Sequence, residues 1–292
     1  MTVILVKHIL LQNSTIQLLR FKFSFFLMPV FWFALSQVQH INTVHTFLVF
    51  IILHLLVYPA SNGYNSYMDK DTESIGGIEK PMQPTQQLFY CTVILDCLAI
   101  ILSYFISLMF MLGIMGYILA SKAYSWRPIR LKKYPITGYL TVVVFQGCLT
   151  FLLVMHGCSV EKITQVPVLG IISAGLLIGG FYPLTQIYQH RQDKEDGVIS
   201  ISSLLGYKGT FIFTGIIYIL AVCALGIYLI NKQEEKNFFI IQLFFIPVVV
   251  YFIWWLKKVF ENNSAANYKN TMQMNILASI CSNIAFITLL IL

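Results

Sequence analysis

Apolar runs of roughly twenty residues, broken by short polar stretches, recur from residue 23 to the end of the chain. A run of about 18 or more apolar residues is long enough to cross the hydrocarbon of a bilayer as a helix. Such segments fall at 23–39, 43–60, 88–105, 106–121, 136–156, 165–184, 209–230, 237–256 and 274–292. The pattern predicts an all-α, polytopic membrane bundle of about nine transmembrane helices. The third and fourth segments form one nearly unbroken run from Leu88 to Ala120, too long for one crossing and with hardly any loop between two. Residues 1–22 read differently: Lys7, His8 and the polar Gln12-Asn13-Ser14-Thr15 interrupt the apolar stretch, and no small-residue cleavage site follows. They are expected to form an amphipathic segment on the membrane surface rather than a signal peptide, leaving 23–292 as a single transmembrane domain.

Composition agrees with a lipid solvent. Hydrophobic residues make up 58% of 292 positions and charged residues 11%, against about a quarter charged in soluble domains. The six cysteines form no C-x-x-C pair and read as packing residues, not as a zinc site or disulfide framework. Basic residues test the helix count, because cytoplasmic loops are enriched in them. With nine crossings, Lys162, Lys232 and Lys236 lie on one side and the other sixteen of the 19 Lys and Arg lie with the N-terminus. A wrong count would dilute that bias, so the N-terminus is expected in the cytoplasm and the C-terminus outside. The net charge of +7 then reflects topology, and calls for no nucleic-acid partner; it leaves one face attractive to anionic lipid and anionic substrates.

The acids are unevenly placed. Asp69, Asp71, Glu73 and Glu79 follow the second segment, and Asp193, Glu195 and Asp196 follow the sixth, so seven of twelve occupy two loops on the same side. If the second helix continues, Asn65, Asp69 and Glu73 fall at i, i+4 and i+8 on one face. Gln186 or Gln189, Asp193 and Asp196 share a face by the same spacing, with Gly197 a natural helix stop. Either stretch alone is explained by a solvated loop; two on one side fit the two halves of a Mg²⁺-diphosphate site, since Mg²⁺ takes one or two carboxylates and shares its other positions with water and phosphate oxygens. Within the helices, Asp96 is a functional candidate because a charge in lipid is costly, a neutral hydrogen-bonded Asp being the other reading. His54 and His156 are weaker candidates for contact with an acceptor.

At these residues the chain resembles the UbiA-type intramembrane prenyltransferases, a nine-helix family with motifs N-D-x-x-D-x-x-x-D and D-x-x-x-D, and the resemblance covers essentially the whole chain. Asn65-Ser66-Tyr67-Met68-Asp69-Lys70-Asp71-Thr72-Glu73 fits the first motif, with Ser66 for its first Asp and Glu73 for its last. In the second motif Asp193 takes the last position and Gln189 replaces the first Asp, so a second Mg²⁺ would be held less tightly unless Glu195 or Asp196 substitutes. Tyr124-Ser125-Trp126-Arg127-Pro128-Ile129-Arg130-Leu131-Lys132 resembles the family's basic Y-S-x-x-P-x-R-L-K loop; the positive-inside bias explains basic residues there equally well.

The resemblance implies an enzyme that ionises an allylic isoprenyl diphosphate and joins the cation to a lipophilic acceptor, of the kind used in quinone-type lipid synthesis. Its implied metal ligands are Asn65, Asp69, Glu73, Gln189 and Asp193; its implied catalytic residues are Arg130, Lys132 and Asp193, with Asn65, Tyr67, Gln189 and His190 joining Arg130 and Lys132 on the substrate. Arg would bind phosphate oxygens bidentately and Lys as a point charge. Rings such as Tyr64, Tyr67 or Tyr188 would stabilise a carbocation, or serve simply as packing and interfacial anchors. The expected location is the bacterial cytoplasmic membrane, with the active-site loops on the cytoplasmic side. A catalytically altered member of the family, or a small-solute transporter, is the alternative; the chain shows no repeat or midplane charge pair that would favour transport.

Overall fold

Residues 11–292 are described by the structure, a computed structural model, and they contain helices and loops with no β-strand. Eight helices among them are long and apolar enough to cross a membrane, and a bent pair makes a ninth. These are α1 (Asn13–Phe26 and Met28–Leu35, bent by 42°), α2 (Thr43–Asp69), α3 (Gln86–Tyr104), α4 (Leu108–Ser125), α5 (Pro135–Cys158), α6 (Val168–Gln186), α7 (Ile201–Asn231), α8 (Glu235–Glu261) and α9 (Tyr268–Ile291). Residues 1–10 of the expected surface segment lie outside the described residues. The part that is described buries Leu18 and Leu19 against Ile75 and Leu88.

The long apolar run divides where a cap allows it. The α3 helix ends at Tyr104, and Ser107 takes an extended conformation and accepts a hydrogen bond from the Phe110 N–H at 3.0 Å, satisfying a backbone donor that a helix start leaves free. Three residues, Phe105, Ile106 and Ser107, suffice to join the two helices.

Helices α2 to α5 pack as neighbours, α6 to α9 do the same, and α1 lies against α5, α6 and α9, joining the groups. At that junction Phe33 stacks on Phe286 and meets Phe151, both at 4.9 Å between ring centroids. The α5 and α6 helices approach so closely that a Cβ on Gly147 would sit 2.7 Å from the Gly175 Cα, the small-residue packing that substitutes for the hydrophobic effect in lipid. Gly147 lies in a π-helical stretch, Val143–Leu149, and α2 holds another at Ile51–Val57. A π turn adds one residue to the helix and turns the following face; in α5 it carries Phe145 and Gln146 to the wall of a cavity.

Candidate active site

At one end of the bundle the connections after α2, α4 and α6 meet over a cavity of about 190 Å³. Its wall includes Asn65, Asp69, Asp71, Lys132, Gln189 and Asp193, drawn from all three connections. The α2 helix runs past the expected end of its apolar segment and carries Asn65 and Asp69 one turn apart, where the Asn65 amide donates to Asp69 Oδ2 at 2.8 Å and to Ser125 Oγ at 3.0 Å. The helix stops there. Lys70 takes a left-handed conformation at φ 55° and donates its N–H to the Ser66 carbonyl.

That stop corrects the expected first motif. Glu73 lies beyond the helix, does not share the face of Asn65 and Asp69, and pairs with the largely exposed Arg191. Asp71 lines the cavity instead, with its carboxylate accepting from the Gln192 amide at 2.7 Å.

A carboxylate at a helix C-terminus opposes the helix dipole, and three cations offset it here. Lys132 pairs with Asp69, whose side chain is 4% exposed, and Arg130 lies 3.4 Å from its other oxygen. Arg127 donates to the Met68 carbonyl at 3.0 Å and to the Asp69 carbonyl at 3.5 Å, capping the end of α2. Both arginines also bind Asp196: Arg127 at 3.0 Å, and Arg130 through Oδ2 and the backbone carbonyl. Arg130 is thus buried behind the cavity wall, held at φ 47°.

In the third connection, the one-and-a-half-turn helix His190–Glu195 is closed by Gly197 at φ 69°, a left-handed position that suits glycine. Gln189 reaches across to the Ser74 carbonyl with its amide nitrogen at 3.3 Å. Asp193 faces the cavity, and its carboxyl is pushed up to about 6, by burial first and by Asp69 and Asp196 against the opposing pull of Lys132 and Ser200. Asp71 is likewise pushed up to about 6, by burial and by Asp69 and Asp193, with Lys132 and Arg20 opposing.

Besides Arg130, which was expected on the substrate and lies behind the wall, two more expected substrate residues lie elsewhere. Tyr67 packs on Phe89 at 5.3 Å beside the α1 cluster. His190 stacks on Tyr207 at 4.7 Å and bonds Ser202 at 2.7 Å, bracing α7, and burial lowers its imidazole to about 4. Conversely, Tyr182 lines the cavity without having been singled out, beside Tyr124 of the basic loop and Gln186 of the second acidic stretch; the Gln186 amide donates to the Tyr182 hydroxyl at 2.9 Å, and that hydroxyl meets the one of Tyr124. The sequence holds a signal for them in polar residues spaced at helical intervals inside apolar runs. Tyr188 also lines the cavity, with its hydroxyl buried and unpaired.

Among the described residues no group of three His, Cys, Asp or Glu is arranged to hold a metal by itself. The donors present are oxygens, and two of the carboxylates stand desolvated near other acids. That set fits a hard divalent cation which brings phosphate and water to complete its shell.

Next to this cavity is a second one, apolar and about 350 Å³, enclosed by α1, α6, α7, α8 and α9. Phe26, Phe33, Phe181, Tyr218, Phe245 and Phe252 supply its aromatic wall. Phe181 and Tyr182, adjacent in α6, face the two cavities in turn.

The model of the UbiA prenyltransferase family matches residues 26–277. Among solved structures, a UbiA homolog from Archaeoglobus fulgidus bound to DMAPP and Mg²⁺ superposes with a TM-score of 0.70 at 16% identity, over 96% of this chain and 100% of that one. A digeranylgeranylglyceryl phosphate synthase gives a TM-score of 0.61 at 19% identity, over 96% and 97%. The apo UbiA homolog from Aeropyrum pernix gives 0.68 at 15%, over 92% and 98%. No curated protein matches the sequence.

Proposed function

Because the chain belongs to the UbiA prenyltransferase family, we propose that it transfers a prenyl group from an isoprenyl diphosphate to a lipophilic acceptor at the cytoplasmic face of a membrane. The observation that carries this is that one bundle holds both a cavity lined by acids and cations and a separate apolar chamber, with Tyr182 lining the first and its neighbour Phe181 the second. The donor has the same two-part chemistry, a charged head and a hydrocarbon tail. Solved relatives with DMAPP or GPP and Mg²⁺ support the class of donor.

In the proposed reaction the allylic C1–O bond breaks and its electron pair leaves on the diphosphate. A π pair of the acceptor then forms the new bond to C1, and the acceptor gives up a proton. Lys132 faces the head group and balances charge growing on the bridging oxygen; such preplaced charge is worth most where water is excluded. Arg130 holds Asp69 and Asp196 in position from behind. Mg²⁺, when bound with the donor, would add neutralising charge to the diphosphate. Asp69, Asp71 and Asp193 are the carboxylates that would hold it, with Asn65 and Gln189 as neutral oxygen donors. Tyr124 and Tyr182 line the cavity, and in the proposed reaction their rings would help keep water from the cation.

The test is Mg²⁺-dependent release of diphosphate by the purified protein, offered a panel of prenyl diphosphates and aromatic acceptors. Wild type is expected to turn over, and Asp69→Ala and Asp193→Ala are each expected to lose about a hundredfold or more, the scale of removing one preorganised electrostatic group. Turnover that survives both substitutions would refute the two-motif site.

A further inference from the structure

Arg20 sits on the N-terminal side of the family match, which begins at residue 26, yet its side chain lines the polar cavity. It ends the helical stretch Asn13–Leu19 of α1 in a left-handed conformation, φ 49° and ψ 46°, a backbone state disfavoured for a residue with a Cβ and found where structure elsewhere enforces it. The side chain then crosses to the mouth of the cavity. One terminal nitrogen donates to the Gly76 carbonyl at 3.4 Å and the other to the Asn62 carbonyl at 3.2 Å. Nε is enclosed and has no partner.

A guanidinium carries five N–H donors and a full charge; here two donors make long bonds to neutral carbonyls. Among the described residues no carboxylate lies within ion-pair distance of Arg20. The other cation on the cavity wall, Lys132, is already paired with Asp69. Asp71 and Asp69 act on Arg20 only from beyond ion-pair distance, and a buried charge with no close partner is unfavourable, so the guanidinium is left open to an anion that arrives from outside. Planar, forked and permanently charged, the guanidinium suits phosphate oxygens better than any other side chain.

We propose that Arg20 is a diphosphate-binding residue, so that the segment preceding the family match forms part of the donor site. This rests on the prenyl-transfer reading above. Arg20 grips one phosphate from the α1 side while Lys132 faces it from the connection after α4. Its bonds to Gly76 and Asn62 aim the guanidinium inward, and the Phe23 ring, 5.4 Å away, supports its face.

The experiment uses the full chain in detergent with Mg²⁺ and inorganic diphosphate as the probe, read by calorimetry and by the rise in Tm on addition. Arg20→Gln is expected to weaken diphosphate binding at least tenfold, and Arg20→Lys severalfold, because it keeps the charge and loses the fork. The KM for the prenyl diphosphate should rise in parallel with that for the acceptor unchanged. If Arg20→Gln fails to fold, Arg20→Lys decides. Wild-type affinity in both variants, or a lowered ligand-free Tm with unchanged affinity, overturns the assignment and leaves the two-motif reaction standing. Absence of diphosphate binding in wild type overturns both.

Discussion

At the scale of single residues, Gln189 and Glu73 separate what the structure assigns from what spacing assigned. Gln189 lines the cavity as a neutral donor, and charge count sets the affinity of oxygen sites for hard cations. Gln189→Asp should therefore lower the Mg²⁺ concentration for half-maximal turnover by about tenfold; a Mg²⁺ titration with no shift would remove Gln189 from the metal's surroundings. Glu73 is half-exposed and bound to an exposed arginine, and such surface pairs contribute little. Glu73→Gln is expected to change turnover less than about twofold, and a loss as large as that of Asp69→Ala would contradict the placement. Asn65, Asp69, Gln189 and Asp193 were legible from helical spacing, and Lys132 from the resemblance of its loop to the family's. Asp71 was passed over because the i, i+4, i+8 rule presumes an unbroken helix, and nothing in Asp69-Lys70-Asp71 marks the stop. Lys70 adopts the left-handed conformation without being glycine, so tertiary contacts, not local propensity, end α2. Arg20 was legible only as a basic residue near the membrane, because its role depends on a bend that brings α1 over the cavity.

At the scale of helices, existence and order were readable from apolar run length, while ends were not. The α2, α7 and α9 helices extend beyond their apolar segments, since polar residues continue a helix wherever they find partners at the cavity or the surface. One such partnership ties α3 to α4. Lys122 Nζ lies 2.6 Å from Asp96 Oδ2 and 4.1 Å from the Tyr64 ring centroid, so the lone acid expected in the third helix is paired near the motif end. Removing one member of a buried pair strands the other. Asp96→Ala should cost on the order of 3 kcal/mol, read as a lower Tm in detergent, and adding Lys122→Met should recover most of it. A double variant no more stable than Asp96→Ala would show that the pair's charges are not what holds the helices together.

At the scale of the whole molecule, the sixteen-to-three division of basic residues foresaw an arrangement in which the connections after α2, α4 and α6 share one end, and their mutual hydrogen bonds place them there. The positive-inside bias predicts that this end faces the cytoplasm. Cysteines introduced at Lys80 and Lys162 in a cysteine-free background should react with an impermeant maleimide on opposite sides, the second from outside intact cells and the first only after lysis; the reverse pattern would invert the topology. The two cavities were invisible in the sequence, because run length says which segments are apolar but not which faces leave a gap. They share no lining residue, and under the proposed reaction each product belongs to a different phase. Diphosphate leaves to water and is diluted into the cytosol, while the prenylated lipid leaves sideways into the bilayer. The reaction quotient is thereby held low on both sides at once, and the reverse reaction requires two species to return from two solvents.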